Sequence, residues 1–226
     1  MTNKIDATEK QLEDYKDVFA DIVNVLLFDG EEVVKEDELV DTPERSIFKV
    51  YGQISEQERD SSKFWEKGNV NILLWGLENQ THSDSDISLR IMSYEGALYE
   101  QQVMARDEAK KQGKPLPQVF DVATIVLYYG LEPWTGYKSS KEILQNGNMS
   151  NDFLPYINDY QVNVFEIAFL DDETIKKFKS DFRIVAEYLS QMRKNNDYIE
   201  SKDIPDHVDA VLKTLGVLGD SFTLHF

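Results

Sequence analysis

Two long apolar runs constrain the fold of this chain most strongly. They are "NVNILLWGLENQ" (69–80) and "VFDVATIVLYYG" (119–130), and both are rich in the β-branched or aromatic residues typical of buried strands. Between them, "ISLRIMSYEGALYEQQVMAR" (87–106) predicts a helix whose Ile91, Tyr94 and Leu98 face inward. The middle of the chain therefore predicts a strand, a helix and a strand in succession.

Further elements are predicted before this segment. A first helix follows a capping box formed by Asp6 and Glu9 and ends at Asp29-Gly30. "SIFKVY" (46–51) and "ERDSSKFW" (58–65) predict two short strands, the second of which forms a hairpin with the first apolar run.

The elements after this segment complete the fold prediction. A short helix is expected near 140–145, "QVNVFEIAFL" (161–170) predicts a strand, and two helices finish the chain, with apolar seams from Ile175 to Met192 and from Val208 to Leu215. The order of elements predicts an α/β core over residues 1–171. Residues 172–226 are expected to pack on it as a C-terminal helical appendage.

The net charge limits the partners that the chain can bind. With 24 Lys and Arg against 42 Asp and Glu, its 226 residues carry a formal charge of −18. Because neutralised phosphates dominate non-specific affinity for nucleic acid, a DNA-binding protein of this charge must gather its Lys and Arg locally or use a divalent metal ion. The absence of cysteine excludes a disulfide framework and a thiolate metal site.

The composition also predicts a globular, cytoplasmic protein. Hydrophobic residues make up 41% of the chain, and no window approaches the length of apolar sequence that spans a membrane, so no membrane partner is expected. The opening "MTNKIDATEK" lacks the apolar segment of a secretory signal. Association into a homo-oligomer is left open.

Polar side chains at the end of the first apolar run suggest a chemistry. Glu78 and Gln80 lie two residues apart and therefore share one face of a strand. If residues 66–68 form a three-residue hairpin loop, Asp60 pairs with Leu74 and shares that face. Two carboxylates, with waters and a phosphate, could hold Mg²⁺ for metal-assisted phosphodiester hydrolysis.

The hairpin leaves an alternative open. In the predicted register Leu74 and Glu78 are about 13 Å apart at strand rise, so the strands would have to bend before both carboxylates could reach one ion. A two-residue turn would put Asp60 and Glu78 on opposite faces. Surface carboxylates at a strand end have no catalytic role in most proteins.

Seven stretches of the chain carry a family pattern. They are "YKDVFADIVNVLLFDG", "QERDSSKFW", "GLENQT", "LRIMSYEGALYEQQ", "VATIVLYYG", "YINDYQVNVFEIAFL" and "FKSDFRIVAEY". In this order they resemble the recombination-promoting nuclease family, also described as transposase-like, of the PD-(D/E)XK nuclease superfamily. The resemblance covers nearly the whole chain. It implies a restriction-endonuclease-like core, a mixed central sheet flanked by helices, and a DNA endonuclease that uses Mg²⁺, with Mn²⁺ as a substitute.

The resemblance also implies catalytic roles. Asp60 and Glu78 match the superfamily's Asp and Glu, which bind the metal ion. Gln80 stands where the superfamily usually has a Lys that positions or activates the attacking water. Gln can orient a water or a phosphate oxygen by hydrogen bonding, but it brings no positive charge to the transition state.

Two accessory residues follow from the same resemblance. Asp17 on the first helix matches an acidic residue that often completes such sites; the alternative is the solvated face of an amphipathic helix, which Asp21 and Asn24 share. Arg90 matches a recurrent family position and would touch the DNA backbone or fix Glu78. Its alternative is a surface Arg near a helix start, where the helix dipole does not favour it.

The expected partner is DNA. "AKKQGK" (109–114) and "TIKKFK" (174–179) are candidate DNA contacts, although a solvated helix end or face is the simpler explanation for each. The charge of −18 and Gln80 also leave open a second function, a non-catalytic interaction or regulatory protein on a nuclease scaffold.

Overall fold

The computed structural model describes residues 11–41, 58–77, 86–146, 150, 152–195, 197 and 205–223, with the backbone alone at 58–60, 75, 77, 146 and 220–223. The chain divides into two compact units. Residues 40–166 form the sheet unit, and residues 1–39 together with 167–226 form the helical unit. The division at residue 171 into a core and an appendage stays a prediction.

A mixed sheet of five strands, in the order β1–β2–β3–β4–β5, dominates the sheet unit. The strands are β1 (Leu39–Asp41), β2 (Glu58–Trp65), β3 (Val70–Leu77), β4 (Asp121–Tyr128) and β5 (Asn163–Glu166). β2 is antiparallel to β3, whereas β3, β4 and β5 are parallel. A mixed sheet flanked by helices confirms the predicted α/β fold.

The turn between β2 and β3 is longer than the sequence predicted. It contains the four residues 66–69, so that Trp65 pairs with Val70 and Asp60 pairs with Trp75. The prediction that Asp60 pairs with Leu74 is therefore wrong by one residue.

Two residues of the turn explain its length. Asn69, and not Gly68, has the positive φ, of 52°, and its side-chain amide donates a hydrogen bond to the carbonyl of Val119 at 2.8 Å. Gly68 is required for a different reason, because a Cβ atom there would lie 2.0 Å from the ring of Trp65. Asn also tolerates the left-handed conformation, and the sequence therefore did not distinguish Gly68 from Asn69 as the last residue of the turn.

The helix α2 (Ile87–Lys111) connects β3 to β4. The predicted inward residues are confirmed, because Ile91, Tyr94 and Leu98 are buried and pack in one cluster with apolar residues of β3 and β4. The helix runs past its predicted end at residue 106, and its last turn carries two lysines, whose charge the helix dipole favours at a C-terminus. A second helix of this unit, α3 (Ser140–Asn146), confirms the short helix expected near 140–145.

Three polar side chains of α2, here called the polar row, hold it on β4. The hydrogen bonds run from Thr124 Oγ1 to Glu95 Oε1 at 2.7 Å, from the Val122 N–H to Tyr99 Oη at 3.2 Å, and from the Phe120 N–H to Gln102 Oε1 at 2.9 Å. Residue numbers increase along α2 from 95 to 102 while those of their partners decrease from 124 to 120, so α2 runs antiparallel to β4. The first turn of α2 therefore lies at the end of the sheet where β4 finishes.

In its described residues, the helical unit contains α1 (Lys16–Phe28), α4 (Asp172–Ile175), α5 (Phe182–Asn195) and α6 (Val208–Thr223). The predicted end of the first helix is confirmed, since Asp29 adopts the left-handed conformation and Gly30 also has a positive φ. The predicted capping box of Asp6 and Glu9 and the predicted strand at 46–51 lie outside the described residues.

Asn24 does not belong to a solvated face of α1, the alternative explanation given for Asp17. Its side chain is buried and makes three hydrogen bonds to the segment after the helix. Its Oδ1 accepts from the N–H groups of Val33 and Val34 at 3.1 and 2.8 Å, and its Nδ2 donates to the carbonyl of Val34 at 2.8 Å. Asn24 thus fixes the acidic segment that follows α1.

The helix predicted from Ile175 to Met192 is interrupted. Residues 176–181 are not helical and separate α4 from α5. The carboxylate of Asp21 accepts hydrogen bonds from the N–H groups of Lys179 and Ser180, both at 2.8 Å, and so satisfies backbone donors at the break. The apolar spacing survives because Phe178 and Phe182 pack edge to face, with ring centroids 5.2 Å apart.

The strand predicted at 161–170 is shorter in the structure. β5 ends at Glu166, and a 3₁₀ turn (Ile167–Phe169) follows it. Ile167 and Ala168 are fully buried in this turn, and for that reason they are apolar. An apolar run does not distinguish a buried turn from the end of a buried strand. Within the described ranges, no helix has both the length and the apolar character needed to cross a membrane.

Candidate functional site

One end of the sheet, here called the carboxyl edge, is formed by the last residues of the parallel strands. Leu77, Tyr128 and Glu166 are neighbours there across β3, β4 and β5. β2 runs in the opposite direction, so its first residue, Glu58, pairs with Leu77. Open α/β sheets bind their ligands at this kind of edge, which makes it the candidate site.

Of the predicted catalytic residues, Asp60 is described in its backbone, while Glu78 and Gln80 lie outside the described residues. Asp60 pairs with Trp75, two residues before the end of β3, and Glu78 follows Leu77 directly in the sequence. Asp60 is therefore two residues in register from Leu77, the last residue of β3, one fewer than the predicted register implied.

The corrected register also changes the phase of Asp60. Asp60 pairs with Trp75, and the side chains of neighbouring strand residues such as Leu74 and Trp75 belong to opposite faces of the sheet. The shared face that the sequence predicted for Asp60 and Glu78 rested on the pairing with Leu74, and that support is lost. The two residues remain metal ligands by prediction.

Arg90 lies near the carboxyl edge. It is exposed in the first turn of α2, where its N–H donates to the carbonyl of Asp86 at 3.1 Å. The antiparallel arrangement of α2 and β4 brings this turn to the end of the sheet that holds Tyr128. Arg90 and the backbone of Asp60 thus lie toward one end of the sheet unit, and a contact between Arg90 and DNA stays a prediction.

Sequence reasoning missed Glu166 and Lys138 at this edge. Glu166 Oε2 accepts the N–H of Trp134 at 2.9 Å, and Lys138 Nζ lies 3.4 Å from Glu166 Oε1. Trp134 packs edge to face on Tyr128, with ring centroids 5.2 Å apart. The carboxylate thereby fastens the loop between β4 and α3 to the end of β5. The available signal was an acidic residue that ends an apolar strand.

The carboxyl edge carries negative charge near Tyr128. Burial raises the pKa of the Tyr128 phenol, and the carboxylates of Glu166 and Glu132 raise it further. An anionic ligand approaching the edge therefore meets two carboxylates, and cations such as Lys138 are needed to offset them.

A buried carboxylate within the sheet unit belongs to the polar row. Glu95 is 9% exposed, and burial raises its pKa, while hydrogen bonds from Thr124 and Tyr160 lower it in part. Burial and the neighbouring Glu95 also raise the pKa of Tyr160. The contacts of Glu95 join α2 to the sheet, so its evident role is to hold the helix.

Asp17 belongs to the helical unit and has a partner there. His207 Nε2 lies 3.0 Å from Asp17 Oδ2 and 3.2 Å from Oδ1, and the imidazole ring stacks on Tyr15 at a centroid distance of 3.8 Å. The carboxylate of Asp17 therefore helps to hold the start of α6 against α1. Its role as an accessory metal ligand stays a prediction.

An acidic cavity of about 420 Å³ lies beside Asp17 in the helical unit. Its charged lining residues are Asp17, Asp21, Glu32, Lys35, Glu36, Asp37, Lys179 and Asp206. Lys179 Nζ lies 2.6 Å from Glu32 Oε1, and Lys177 pairs with Asp29. Two lysines of "TIKKFK" thus pair with carboxylates of their own unit.

The other lysine-rich stretch lies far from the carboxyl edge. Lys110 and Lys111 end α2, next to Asp107 and Glu108, at N–O distances of 3.1 and 3.9 Å. Because α2 runs antiparallel to β4, its last turn lies at the opposite end of the sheet from Tyr128. Lys110 and Lys111 are therefore no neighbours of the carboxyl edge.

The comparisons with known proteins give one family. A family model described as "Putative transposase, YhgA-like" matches residues 63–214, more than half of the chain, a range that includes Glu78, Gln80 and Arg90 but neither Asp17 nor Asp60. No curated protein and no solved structure matches the chain. Among the residues with described side chains, no group of three or more His, Asp or Glu is arranged to hold a metal ion.

Proposed function

We propose, since this chain belongs to the YhgA-like family of putative transposases, that it is a metal-dependent DNA endonuclease that hydrolyses phosphodiester bonds. The observation that carries the proposal is the hairpin of β2 and β3, which opens at the carboxyl edge. Asp60 lies near the open end of β2, and Glu78 follows the last residue of β3 in the sequence. One carboxylate-bearing position thus lies toward this end of the sheet, and a second follows the sheet directly in the sequence.

The donor set suits Mg²⁺, with Mn²⁺ as a substitute. The carboxylate oxygens of Asp60 and Glu78 are hard donors, and Mg²⁺ commonly takes one or two carboxylates together with waters and phosphate oxygens. When bound, the ion would stabilise the charge that develops on the phosphate and lower the pKa of a bound water.

The chain's own residues divide the remaining work. Asp60 and Glu78 would hold the ion, and Gln80 would orient the attacking water through its amide group. The water oxygen forms a bond to phosphorus as the bond to the leaving oxygen breaks, so one phosphodiester yields one phosphomonoester and one hydroxyl. Because Gln80 is neutral, further positive charge at the transition state has to come from other groups.

The test is nicking of supercoiled plasmid by the purified full chain with Mg²⁺ or Mn²⁺. Asp60→Ala and Glu78→Ala should each lower the nicking rate by about 100-fold or more, the size of loss typical of a group that stabilises transition-state charge. Asp121→Ala and Glu66→Ala remove exposed carboxylates at the opposite end of the sheet, at the start of β4 and in the turn after β2, and should cut at the parental rate. Equal cutting by parent, Asp60→Ala and Glu78→Ala would refute the assignment.

The charge of −18 and the neutral Gln80 favour a second candidate function, a non-catalytic interaction or regulatory protein on the same scaffold. Isothermal titration with Mn²⁺ separates the two. Binding that disappears in Asp60→Ala supports the nuclease, whereas no binding at millimolar Mn²⁺ supports the interaction protein.

A further inference from the structure

Lys138 brings an ammonium group to the carboxyl edge of the sheet unit. Its Nζ lies 3.4 Å from Glu166 Oε1, and Glu166 is the neighbour of Tyr128, which is in turn the neighbour of Leu77. The Cα atoms of Glu166 and Leu77 are thus two strand spacings apart, about 10 Å. Lys138 is therefore close enough to meet the same DNA strand as a site at the end of β3.

The position of Lys138 is fixed by its backbone and by Glu166. Its N–H donates to Glu142 Oε2 at 2.8 Å, and its carbonyl accepts the N–H of Val162 at 2.9 Å. Glu166 is itself held by the N–H of Trp134. A side chain whose anchor points are already ordered loses little further freedom when it binds a ligand.

The ammonium of Lys138 can still take a second anion. The side chain is 47% exposed, against 25% for Glu166, so the group faces solvent while it remains near the carboxylate. The N–O distance of 3.4 Å is at the long limit of a hydrogen bond. An ammonium has three donors, and a phosphate oxygen can use those that Glu166 does not.

A cation at this position answers two needs of the proposed reaction. Gln80 supplies no positive charge, and Glu132 and Glu166 would repel a polyanion at this edge. We propose that Lys138 binds a phosphate of the DNA strand close to the scissile one; the inference rests on the proposed function, because it takes DNA as the substrate. On B-DNA the charges of one strand follow at about 3.4 Å along the axis, so a further phosphate lies within reach.

The experiment measures binding of the full chain to a fluorescent DNA duplex in EDTA, where no cutting occurs, over a series of salt concentrations. Lys138→Gln should reduce the magnitude of the slope of log K against log salt by about 0.9. The affinity of the variant relative to that of the parent should therefore be about eightfold lower at 0.1 M salt than at 1 M salt. Lys138→Arg should keep the parental slope. Lys110→Gln makes the same charge change at the opposite end of the sheet and should also keep it.

A parental slope in Lys138→Gln, an equal loss in Lys110→Gln, or no binding by the parent would each overturn the inference. A thermal unfolding midpoint of Lys138→Gln equal to that of the parent excludes loss of fold as the cause. The proposed function fails separately: a reduced salt slope in Lys138→Gln, together with no nicking by the parent in Mg²⁺ or Mn²⁺, supports the phosphate contact and refutes the nuclease.

Discussion

Asn24→Ala should destabilise the helical unit far more than an ordinary polar substitution. The change removes three hydrogen bonds and leaves the N–H and the carbonyl of Val34 without the partner that Asn24 provides, whereas the Val33 N–H keeps the Glu31 carbonyl at 2.8 Å. Each hydrogen bond contributes about 0.5–1.5 kcal/mol net, and each buried group left unsatisfied costs about 1–3 kcal/mol. Because only the two Val34 groups are left unsatisfied and water can replace some of the loss, we expect a decrease of about 2–4 kcal/mol in the free energy of unfolding.

Urea unfolding followed by circular dichroism measures the free energy, and amide hydrogen exchange locates the loss. The amide of Val34 should exchange much faster in Asn24→Ala, because Asn24 Oδ1 is its acceptor. Asn195→Ala, at an exposed helix end, is the control and should stay within about 0.5 kcal/mol of the parent. A change below about 1 kcal/mol in Asn24→Ala, with unaltered exchange at Val34, would refute the reasoning, since it would mean that the segment is held by other contacts.

Two further substitutions test the sheet unit. Burial raises the folded-state pKa of Glu95, so the stability linked to its proton is fully present below the unfolded-state pKa and is lost as pH rises through the folded-state pKa. Glu95→Gln cannot ionise and should therefore gain stability relative to the parent between pH 4 and pH 8, as measured by urea unfolding. A stability difference that does not change with pH would contradict this. The exposed Glu100→Gln on the same helix is its control. Gly68→Ala should cost about 1–3 kcal/mol, read by urea unfolding and tryptophan fluorescence, because its Cβ would meet the Trp65 ring, whereas Gly96→Ala, where a Cβ meets nothing within 4 Å, should stabilise α2 by about 0.5–1 kcal/mol.

Local periodicity was enough to predict most elements of this fold. The strand at 58–65 has the bounds that its sequence indicated, and the three inward residues of α2 are buried as expected. These successes share a cause, because a strand or helix that buries one face must repeat its apolar residues at the matching period.

The errors arise where contacts distant in sequence override local patterns. Asn69 belongs to the turn and not to β3, so the hairpin register differs by one residue from the predicted one. The hydrogen-bond partner of its side chain, the Val119 carbonyl, is 50 positions away in the sequence. Asp21 helps to end a helical pattern 158 residues later by accepting the N–H of Lys179. Glu166 and Lys138 were missed in the same way, since neither residue type nor spacing predicts a pair that spans 28 residues.

The polar row of α2 fixes more than a helix orientation. The hydrogen bonds of its three side chains set which turn of α2 lies beside which residue of β4. The connection at 112–119 therefore does not have to determine that alignment by its length. That connection is exposed throughout, and long surface loops add little entropic cost as they lengthen. Evolution or an engineer could therefore insert extra sequence there, a recognition module for example, and leave the carboxyl edge undisturbed.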